Sequence, residues 1–341
     1  MKILQISPTY SGIGGIAQHV RGLEKYLINT GNNVDILSSD NSFTLPIKGL
    51  KNPSFMLSSS LKSRFMKKYD IIHAHNIPSA KAMKNAKGKK ILTLHGIFSE
   101  QIDILHGKTT GNISKKYENT ALKSADAITV VSKDAQEYYS KLGFNAYHIP
   151  NAIDIESLPK NENKMFENQI IYAGRLSKEK GILELLSISK KLPEEIHLII
   201  VGTGPEENIV KLASEQKNIH YFGYLPPEKT IPLIRGSKIL VQPSLVEGIS
   251  STILESMACQ TSIITSNVGG NVELITNNKN GLIIDSQNSD SFVRQIISLI
   301  DDEELRKSFE NESLKIVKKY DWNQVGKLYL NIYKSLLDSS D

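Results

Sequence analysis

The feature that most constrains this chain is an alternation. Short runs that are apolar from end to end recur between segments of helical periodicity, first over residues 2–150 and again over residues 170–285. A strand that is apolar on both faces must be covered on both faces, and parallel sheets wrapped by helices meet that demand. The runs KILQIS (2–7), NVDILSS (33–39), DIIHAH (70–75), KILTLHG (90–96), AITVVS (127–132) and AYHIP (146–150) are predicted as strands of a first sheet. The runs IIYAGRL (170–176), IHLIIVG (196–202), IHYFGYL (219–225), KILVQPS (238–244), SIITSN (262–267) and NGLIID (280–285) are predicted as strands of a second. After the first strand, Ile16, Val20, Leu23 and Leu27 fall on one helical stripe. The expected fold class is therefore α/β, with two tandem Rossmann-like doubly wound domains.

The polar stretch LPKNENKMFENQ (158–169) has no periodic apolar face and is predicted as an interdomain linker. It separates an N-terminal domain over residues 1–160 from a C-terminal domain over residues 168–321. Beyond Ser289 the pattern is purely helical, and a final stripe of Val325, Leu328, Ile332 and Leu336 needs an apolar partner. A return of helix 322–341 to the first domain would supply one. In open parallel sheets, ligands bind outside the carboxyl ends of the strands, where loops lead into helix N-termini. Two such sheets facing each other would hold a ligand in the cleft between them, so functional residues are expected in those loops.

A length of 341 residues agrees with about two domains at roughly 150 residues each. With 40% apolar and 23% charged residues the composition is globular. The single cysteine, Cys259, has no intrachain partner, which points to a reduced, cytoplasmic setting. The start, MKILQIS, reads as a buried strand rather than a signal peptide, and no window reaches the ~18 apolar residues of a membrane span. The net charge of +5 hides an asymmetry: residues 1–164 carry 22 Lys and Arg against 13 Asp and Glu. Much of that excess lies in LKSRFMKK (61–68) and KAMKNAKGKK (81–90). These clusters are either a solvated face or a surface drawn to anionic lipid head groups or a phosphorylated acceptor. A nucleic-acid partner is disfavoured, because no aromatic residues are interleaved as stacking platforms.

The first loop contains Gly12-Ile13-Gly14-Gly15-Ile16-Ala17, a match to the dinucleotide pattern G-x-G-x-x-A, with Asp35 about twenty residues on. In that pattern the first glycine leaves the strand directly, whereas Pro8, Thr9, Tyr10 and Ser11 intervene here. A glycine loop lying against a ligand phosphate or sugar fits better than an NAD site. In the second half, Arg175 and Lys180 sit on a loop between a strand end and a helix start, where a diphosphate would meet two cations and a positive helix dipole. The next strand ends in Gly202-Thr203-Gly204-Pro205, which allows close backbone approach.

QPSLVEGISSTILESMAC (242–259) places Glu247 in a loop and Glu255 one turn into the following helix, with Ser250, Ser251 and Thr252 available to cap it. A pair of carboxylates can act as acid and base. It can also bind two polyols, Glu255 taking a vicinal diol such as ribose and Glu247 a second one, with the amides between them holding a diphosphate.

The ordered set GIGGIAQHV, LTLHG, VVS, IPNAID, GRLSKEKG, VGTGP, FGYL, PSLVEGISSTILESMA, VGG-x-x-E and NGLIID resembles the family 4 retaining glycosyltransferases (glycosyl transferases group 1), nearly end to end. The resemblance implies the two-domain GT-B architecture and a nucleoside diphosphate sugar, UDP- or GDP-type, as donor. It implies Arg175 and Lys180 as diphosphate ligands that also stabilise the leaving group, Glu255 as ribose ligand and Glu247 as ligand of the transferred sugar. Gly14 and Gly15 would approach the donor diphosphate, with Gly204 and the segment Gly248, Ile249, Ser250, Ser251 also on the donor, and His95 would sit near its anomeric carbon. The residues Gly248, Ile249 and Ser250 replace aromatic, glycine or proline residues that often occur there, which leaves the donor sugar open. No Asp-x-Asp occurs, in keeping with a family that needs no divalent metal. No cofactor beyond the co-substrate is expected.

Transfer to a carbohydrate or lipid-linked acceptor hydroxyl would proceed by same-face attack, at the cytoplasmic side of a membrane if the basic clusters engage lipid. A nucleotide-sugar epimerase and a non-catalytic nucleotide-sugar-binding subunit are the rival expectations.

Overall fold

In the computed structural model the described residues are 1–339 except 13, 46, 48, 49 and 99–110. The chain divides into two compact units, Met1–Ala152 with Trp322–Asp341, and Ile153–Asp321. Each is a six-stranded parallel sheet, as an α/β doubly wound chain requires. The first sheet has the order β2-β1-β3-β4-β5-β6, with β1 Lys2–Ser7, β2 Asn33–Ser38, β3 Ile71–His75, β4 Lys89–Leu94, β5 Ala127–Val130 and β6 Ala146–His148. The second has the order β12-β11-β10-β7-β8-β9, with β7 Gln169–Ala173, β8 His197–Val201, β9 Ile219–Tyr221, β10 Ile239–Gln242, β11 Ser262–Ser266 and β12 Leu282–Ile284.

In each sheet one junction reverses the direction in which successive strands are added, between β1 and β3 in the first and between β7 and β10 in the second. Connections leave opposite faces on either side of such a junction, so the loops diverge and open a crevice at the carboxyl ends.

In the first unit, one sheet face is covered by a layer that includes Leu4, Ile6, Phe55, Ile72, Leu92, Val130 and Tyr139. The other face carries Ile3, Leu23, Tyr26, Leu27, Ile71 and Ile91 together with Trp322, Val325, Tyr329, Ile332 and Tyr333 of the final helix Trp322–Asp338. That helix lies very close to the helix Gly15–Asn29. A Cβ on Gly22 would fall 2.3 Å from the Trp322 ring, and one on Gly326 would fall 2.4 Å from the Tyr26 ring. Leu328, expected on the buried stripe, is exposed instead, and the larger Tyr329 and Tyr333 take the inward positions.

The second unit has its own core, built on Ile170, Tyr172, Leu198, Ile200, Val241 and Ile264 and closed by Phe292, Ile296 and Phe309 of the helices Ser289–Asp301 and Glu303–Val317. Side chains of this size stabilise by about 1.5–3 kcal/mol each when fully buried. The polar stretch 158–169 is fastened into this unit. The Asn163 N–H donates to the Pro232 carbonyl at 2.8 Å, and Arg235 donates to the Pro159 carbonyl at 3.2 Å. The boundary between units falls at 152/153 and again at 321/322.

Several predicted strands end early. IHYFGYL stops at Tyr221 because Gly223 turns the chain with φ +65°.

Candidate functional site

At the β7/β10 junction of the second unit, two loops meet. The loop after β7 carries Arg175 and a short 3-10 turn Lys178–Lys180, and the loop after β10 carries Glu247. They are tied by backbone: the N–H groups of Leu245 and Val246 donate to the Glu179 carbonyl at 2.9 and 3.2 Å. They also touch so closely at Gly181 (φ +69°) that a Cβ there would stand 1.8 Å from the Pro243 carbonyl oxygen. Glycine is required on both counts. The same close packing recurs at Gly202, whose Cβ would lie 1.8 Å from the Gly174 oxygen, and at Gly204, 2.2 Å from the Leu176 oxygen. Gly269 and Gly270 pack in this way against the Glu247 and Gly248 carbonyls.

This frame brings Lys180 and Glu247 into a direct ion pair. The Glu247 side chain is only 6% exposed, and its second oxygen accepts from Gln242 Nε2 at 2.8 Å. Gln242 Nε2 also donates to Ser250 Oγ at 2.9 Å, and Ser250 Oγ in turn accepts the Ile253 N–H at 3.3 Å, which caps the helix Ser251–Cys259. The chain from Lys180 through Glu247 and Gln242 to Ser250 is thus continuous and ends on a helix N-terminus. Ser251 opens that helix, Ile249 is buried just before it, and Glu255 lies half-buried one turn in.

Arg175 stands apart from the chain. Its side chain is 58% exposed and its nearest carboxylate is Glu179, at 3.8 Å. Two buried polar atoms of this loop, Ser177 Oγ and Glu179 Oε2, make no hydrogen bond. A guanidinium facing solvent, an ammonium with protons to spare and a helix N-terminus together form a place for a phosphate-bearing anion.

The first unit builds a different centre at its β1/β3 junction. The loop after β1 is pinned by Arg21, which donates to the Tyr10 and Gly12 carbonyls, and by Asp40, which accepts Ser11 N–H at 2.9 Å and Ser11 Oγ at 2.8 Å. It delivers Gly14, at φ +117°, and Gly15 to the start of the helix Gly15–Asn29, which has no side-chain cap. Asp35, the acid of the dinucleotide pattern, lies within β2 rather than at its carboxyl end, and accepts from Tyr69 at 2.7 Å and Lys67 at 3.0 Å.

His95 follows β4 directly, and its N–H donates to Asn76 Oδ1 at 2.9 Å. It is half-buried and adjoins a group of buried histidines. His75 Nδ1 lies 3.3 Å from His95 Nε2, His75 Nε2 lies 3.1 Å from Gln5 Oε1, and His19 Nε2 lies 3.2 Å from the Tyr329 hydroxyl. His73 contacts Tyr333 Oη at 2.7 Å and Thr93 Oγ1 at 2.6 Å. Burial holds these imidazoles neutral, His95 down to about 4, His73 to about 3, and His19 and His75 well below the ordinary histidine range. Among the described residues, His19, His75 and His95 form the group whose ring nitrogens come within 4.8 Å of one another, a set of donors of the type transition metals take. Two of them already face each other at hydrogen-bonding distance.

Sequence reasoning missed Gln242, which joins Glu247 to the helix cap, and the histidines around His95. Asn76 was also missed. Its φ of +60° is strained for a non-glycine residue, and it positions the His95 backbone. The signals were present as the last polar residue of a strand and as the repeated histidines of HAHN. The segment 99–110 that follows His95 lies outside the described residues, as does Ile13 of the glycine loop.

Two family models divide the chain. Glycosyltransferase Family 4 matches residues 13–157, and Glycosyl transferases group 1 matches residues 154–315. The chain is 22% identical to a phosphatidyl-myo-inositol mannosyltransferase of Mycolicibacterium smegmatis, over 98% of this chain and 94% of that protein. In fold it is similar to a sucrose-phosphate synthase from Thermosynechococcus elongatus, with a TM-score of 0.83 and 18% identity over 99% of both chains. It is similar too to an Anabaena protein, HepE, crystallised with UDP-glucose, with a TM-score of 0.74 and 18% identity over 98% of this chain and 100% of that one.

Proposed function

The chain belongs to the family 4 glycosyltransferases, and on that premise we propose that it moves a glycosyl group from a nucleoside diphosphate sugar to an acceptor hydroxyl with retention of the anomeric configuration. The observation that carries this reading is the Lys180–Glu247 pair, held at the β7/β10 junction beside the capped N-terminus of the helix Ser251–Cys259. An ammonium has three protons, so Lys180 keeps Glu247 and still donates to a phosphate oxygen. As the glycosidic bond breaks, charge grows on the departing diphosphate, and Lys180, Arg175 and the helix amides from Gly248 to Ser251 stabilise it without reorganising.

Glu247 then holds a hydroxyl of the transferred sugar and Glu255 the ribose. Gly14 and Gly15 approach the diphosphate, Gly204 lets a backbone lie against the nucleotide, and His95 serves the reacting sugar as a neutral group. The leaving phosphate accepts the acceptor's proton on the face it departs from. No metal or cofactor is assigned a step.

UDP is favoured as the nucleotide because a protein of the same fold was crystallised with UDP-glucose. The acceptor is assigned as lipid-linked, presented at the inner face of an anionic membrane, in line with a relative named for phosphatidyl-myo-inositol. No helix of the described residues is long and apolar enough to cross a membrane, so that contact would be peripheral.

A thermal-shift panel of UDP, GDP, ADP and dTDP sugars tests the donor. The right one raises stability by about 2.7 kcal/mol at a hundredfold excess over its dissociation constant. Indifference to all four sinks the proposal. Product analysis that finds free nucleotide and a retained anomer separates transfer from epimerisation.

A further inference from the structure

The helix Lys51–Arg64 of the first unit is built inside out. A surface helix ordinarily turns its apolar stripe inward, but here the buried positions are Phe55, Ser59, Ser60 and Ser63. The serines are satisfied where they lie. Ser59 Oγ donates to the Phe55 carbonyl at 2.5 Å, Ser63 Oγ donates to the Ser60 carbonyl at 3.0 Å, and Asn85 Nδ2 donates to Ser60 Oγ at 2.7 Å. Their small size lets the short helix Ala80–Asn85 pack against this one, and Asn85 joins the two.

The apolar residues are left outside. Leu57 is 63% exposed, Leu61 59% and Phe65 83%, at i, i+4 and i+8, so they line one ridge. The neighbouring ridge of Ser54, Ser58 and Lys62 straps the segment 41–45 alongside. Leu45 N–H donates to Ser54 Oγ at 2.9 Å, Ser58 Oγ donates to the Phe43 carbonyl at 2.7 Å, and Lys62 donates to the Asn41 carbonyl. That strap presents Phe43, 70% exposed, beside the helix. Of the sixteen large apolar side chains exposed among the described residues, six lie between residues 43 and 65. Singly exposed apolar residues need no partner, but a cluster does.

Its charge identifies the partner. Residues 41–99 contain eleven Lys and Arg and one acid, Asp70, which accepts the Lys2 N–H at 2.7 Å. Lys51, Lys62, Arg64 and Lys68 are exposed around the apolar ridge, and Lys81 and Lys84 on the joined helix, while Lys67 is exposed there but paired with Asp35. A second copy of this chain would set like charges against one another, and a nucleic acid offers nothing to receive leucine and phenylalanine. A bilayer with anionic head groups offers both negative charge and an apolar interior just beneath it.

We propose that this face is a docking surface for an anionic bilayer, with Leu57, Leu61 and Phe65 entering the head-group boundary and the lysines around them on lipid phosphates. It deepens the membrane clause of the functional reading, naming the surface that would bring the enzyme to a lipid-linked acceptor.

The test is flotation of the full chain with vesicles of phosphatidylcholine alone and of phosphatidylcholine with phosphatidylglycerol. The expected result is binding to the anionic vesicles only, weakened by salt because surface charges are screened. Substituting Leu57, Leu61 and Phe65 together by serine should lower vesicle affinity by about tenfold or more. Those side chains are exposed, so Tm and donor binding without vesicles should hold. Phe65→Trp should give a blue shift on anionic vesicles beyond that of Trp322 in the parent.

Equal binding to neutral vesicles, or binding indifferent to the triple substitution, overturns the proposal. So does a dimer that the triple substitution abolishes, since the face would then meet a second copy. Because donor binding is measured in the same samples, failure of docking is told apart from failure of the transferase reading.

Discussion

The two units differ in strand order, one strand lying beyond β1 in the first and two beyond β7 in the second. Each nonetheless reverses that order once and places a cluster of polar side chains at the reversal, and the clusters are opposites. At the β1/β3 junction the groups are histidines and tyrosines, buried and held neutral. At the β7/β10 junction they are a lysine, an arginine and glutamates, partly open to solvent. Topology fixes where a ligand can sit, because both crevices follow from the reversal of strand order. What the ligand can be is fixed by the side chains. A cluster kept neutral suits a reacting sugar, and a cluster kept ionic suits a charged leaving group.

The largest effect that tests this contrast comes from unpairing the ionic cluster. Lys180→Met leaves the buried Glu247 carboxylate with Gln242 as its remaining partner. Removing one member of a fully buried pair costs about 3–5 kcal/mol, and the cost here is smaller because the Lys180 side chain is 30% exposed. Each unit holds its own reporter. Cys259, the one cysteine, is buried in the second, and Trp322, the one tryptophan, is buried in the first. Lys180→Met should therefore expose Cys259 to dithiodipyridine at lower denaturant while the Trp322 fluorescence midpoint moves much less. Equal movement of both would remove the contrast. The conservative Glu247→Gln should keep the fold and lower turnover by about a hundredfold or more.

Acid is the corresponding test of the neutral cluster, with a smaller effect per group. Burial lowers the folded pKa of His73 to about 3 and of His95 to about 4, below the 6.5 of an unfolded histidine. Above pH 6.5 both states are neutral and nothing is gained or lost. As pH falls, the unfolded chain takes up protons first, so stability declines between 6.5 and the folded values. At pH 5 that amounts to roughly 2 kcal/mol for each of the two. His220 of the second unit is also lowered by burial, but it is half-buried and its contribution is smaller. Trp322 fluorescence should report loss of the first unit as pH drops from 7 to 5, ahead of Cys259 exposure. A Trp322 midpoint that stays flat across that range would mean the histidines are not held neutral.

Much of this architecture is legible in the sequence, for a physical reason. A strand such as Ile71–His75 or Ile239–Gln242 is buried on both faces, so its composition alone marks it. The same rule hides the helix Lys51–Arg64, because serines face inward there and the ridge of Leu57, Leu61 and Phe65 faces outward. Lys180 and Glu247 were legible one at a time as residues of ligand-facing loops. Their pairing was not, since 67 positions separate them and only the backbone ties between Glu179 and Leu245 bring them together. His19 and His75 were illegible as a group because each, taken singly, is an ordinary buried histidine. They meet through a helix and a strand far apart in the chain.

Arg175 sharpens the contrast from within the ionic cluster, with the smallest effect on the fold. It differs from Lys180 in exposure, 58% against 30% for the side chains, and in its partner, a carboxylate 3.8 Å away rather than in direct contact. A pair so open to water contributes little. Arg175→Ala should accordingly leave stability within about 0.5 kcal/mol, with both Cys259 exposure and Trp322 fluorescence unmoved. Its guanidinium is nonetheless free to take two oxygens of a phosphate, so the donor KM should rise about tenfold, the equivalent of 1.4 kcal/mol. An arginine that binds ligand and not protein raises KM and, because charge grows on the diphosphate as the bond breaks, also lowers kcat, while stability holds. If Arg175→Ala instead destabilises the second unit as Lys180→Met does, or leaves the donor KM where it was, the leaving group is held by Lys180 and the helix amides, and Arg175 belongs to the solvated surface.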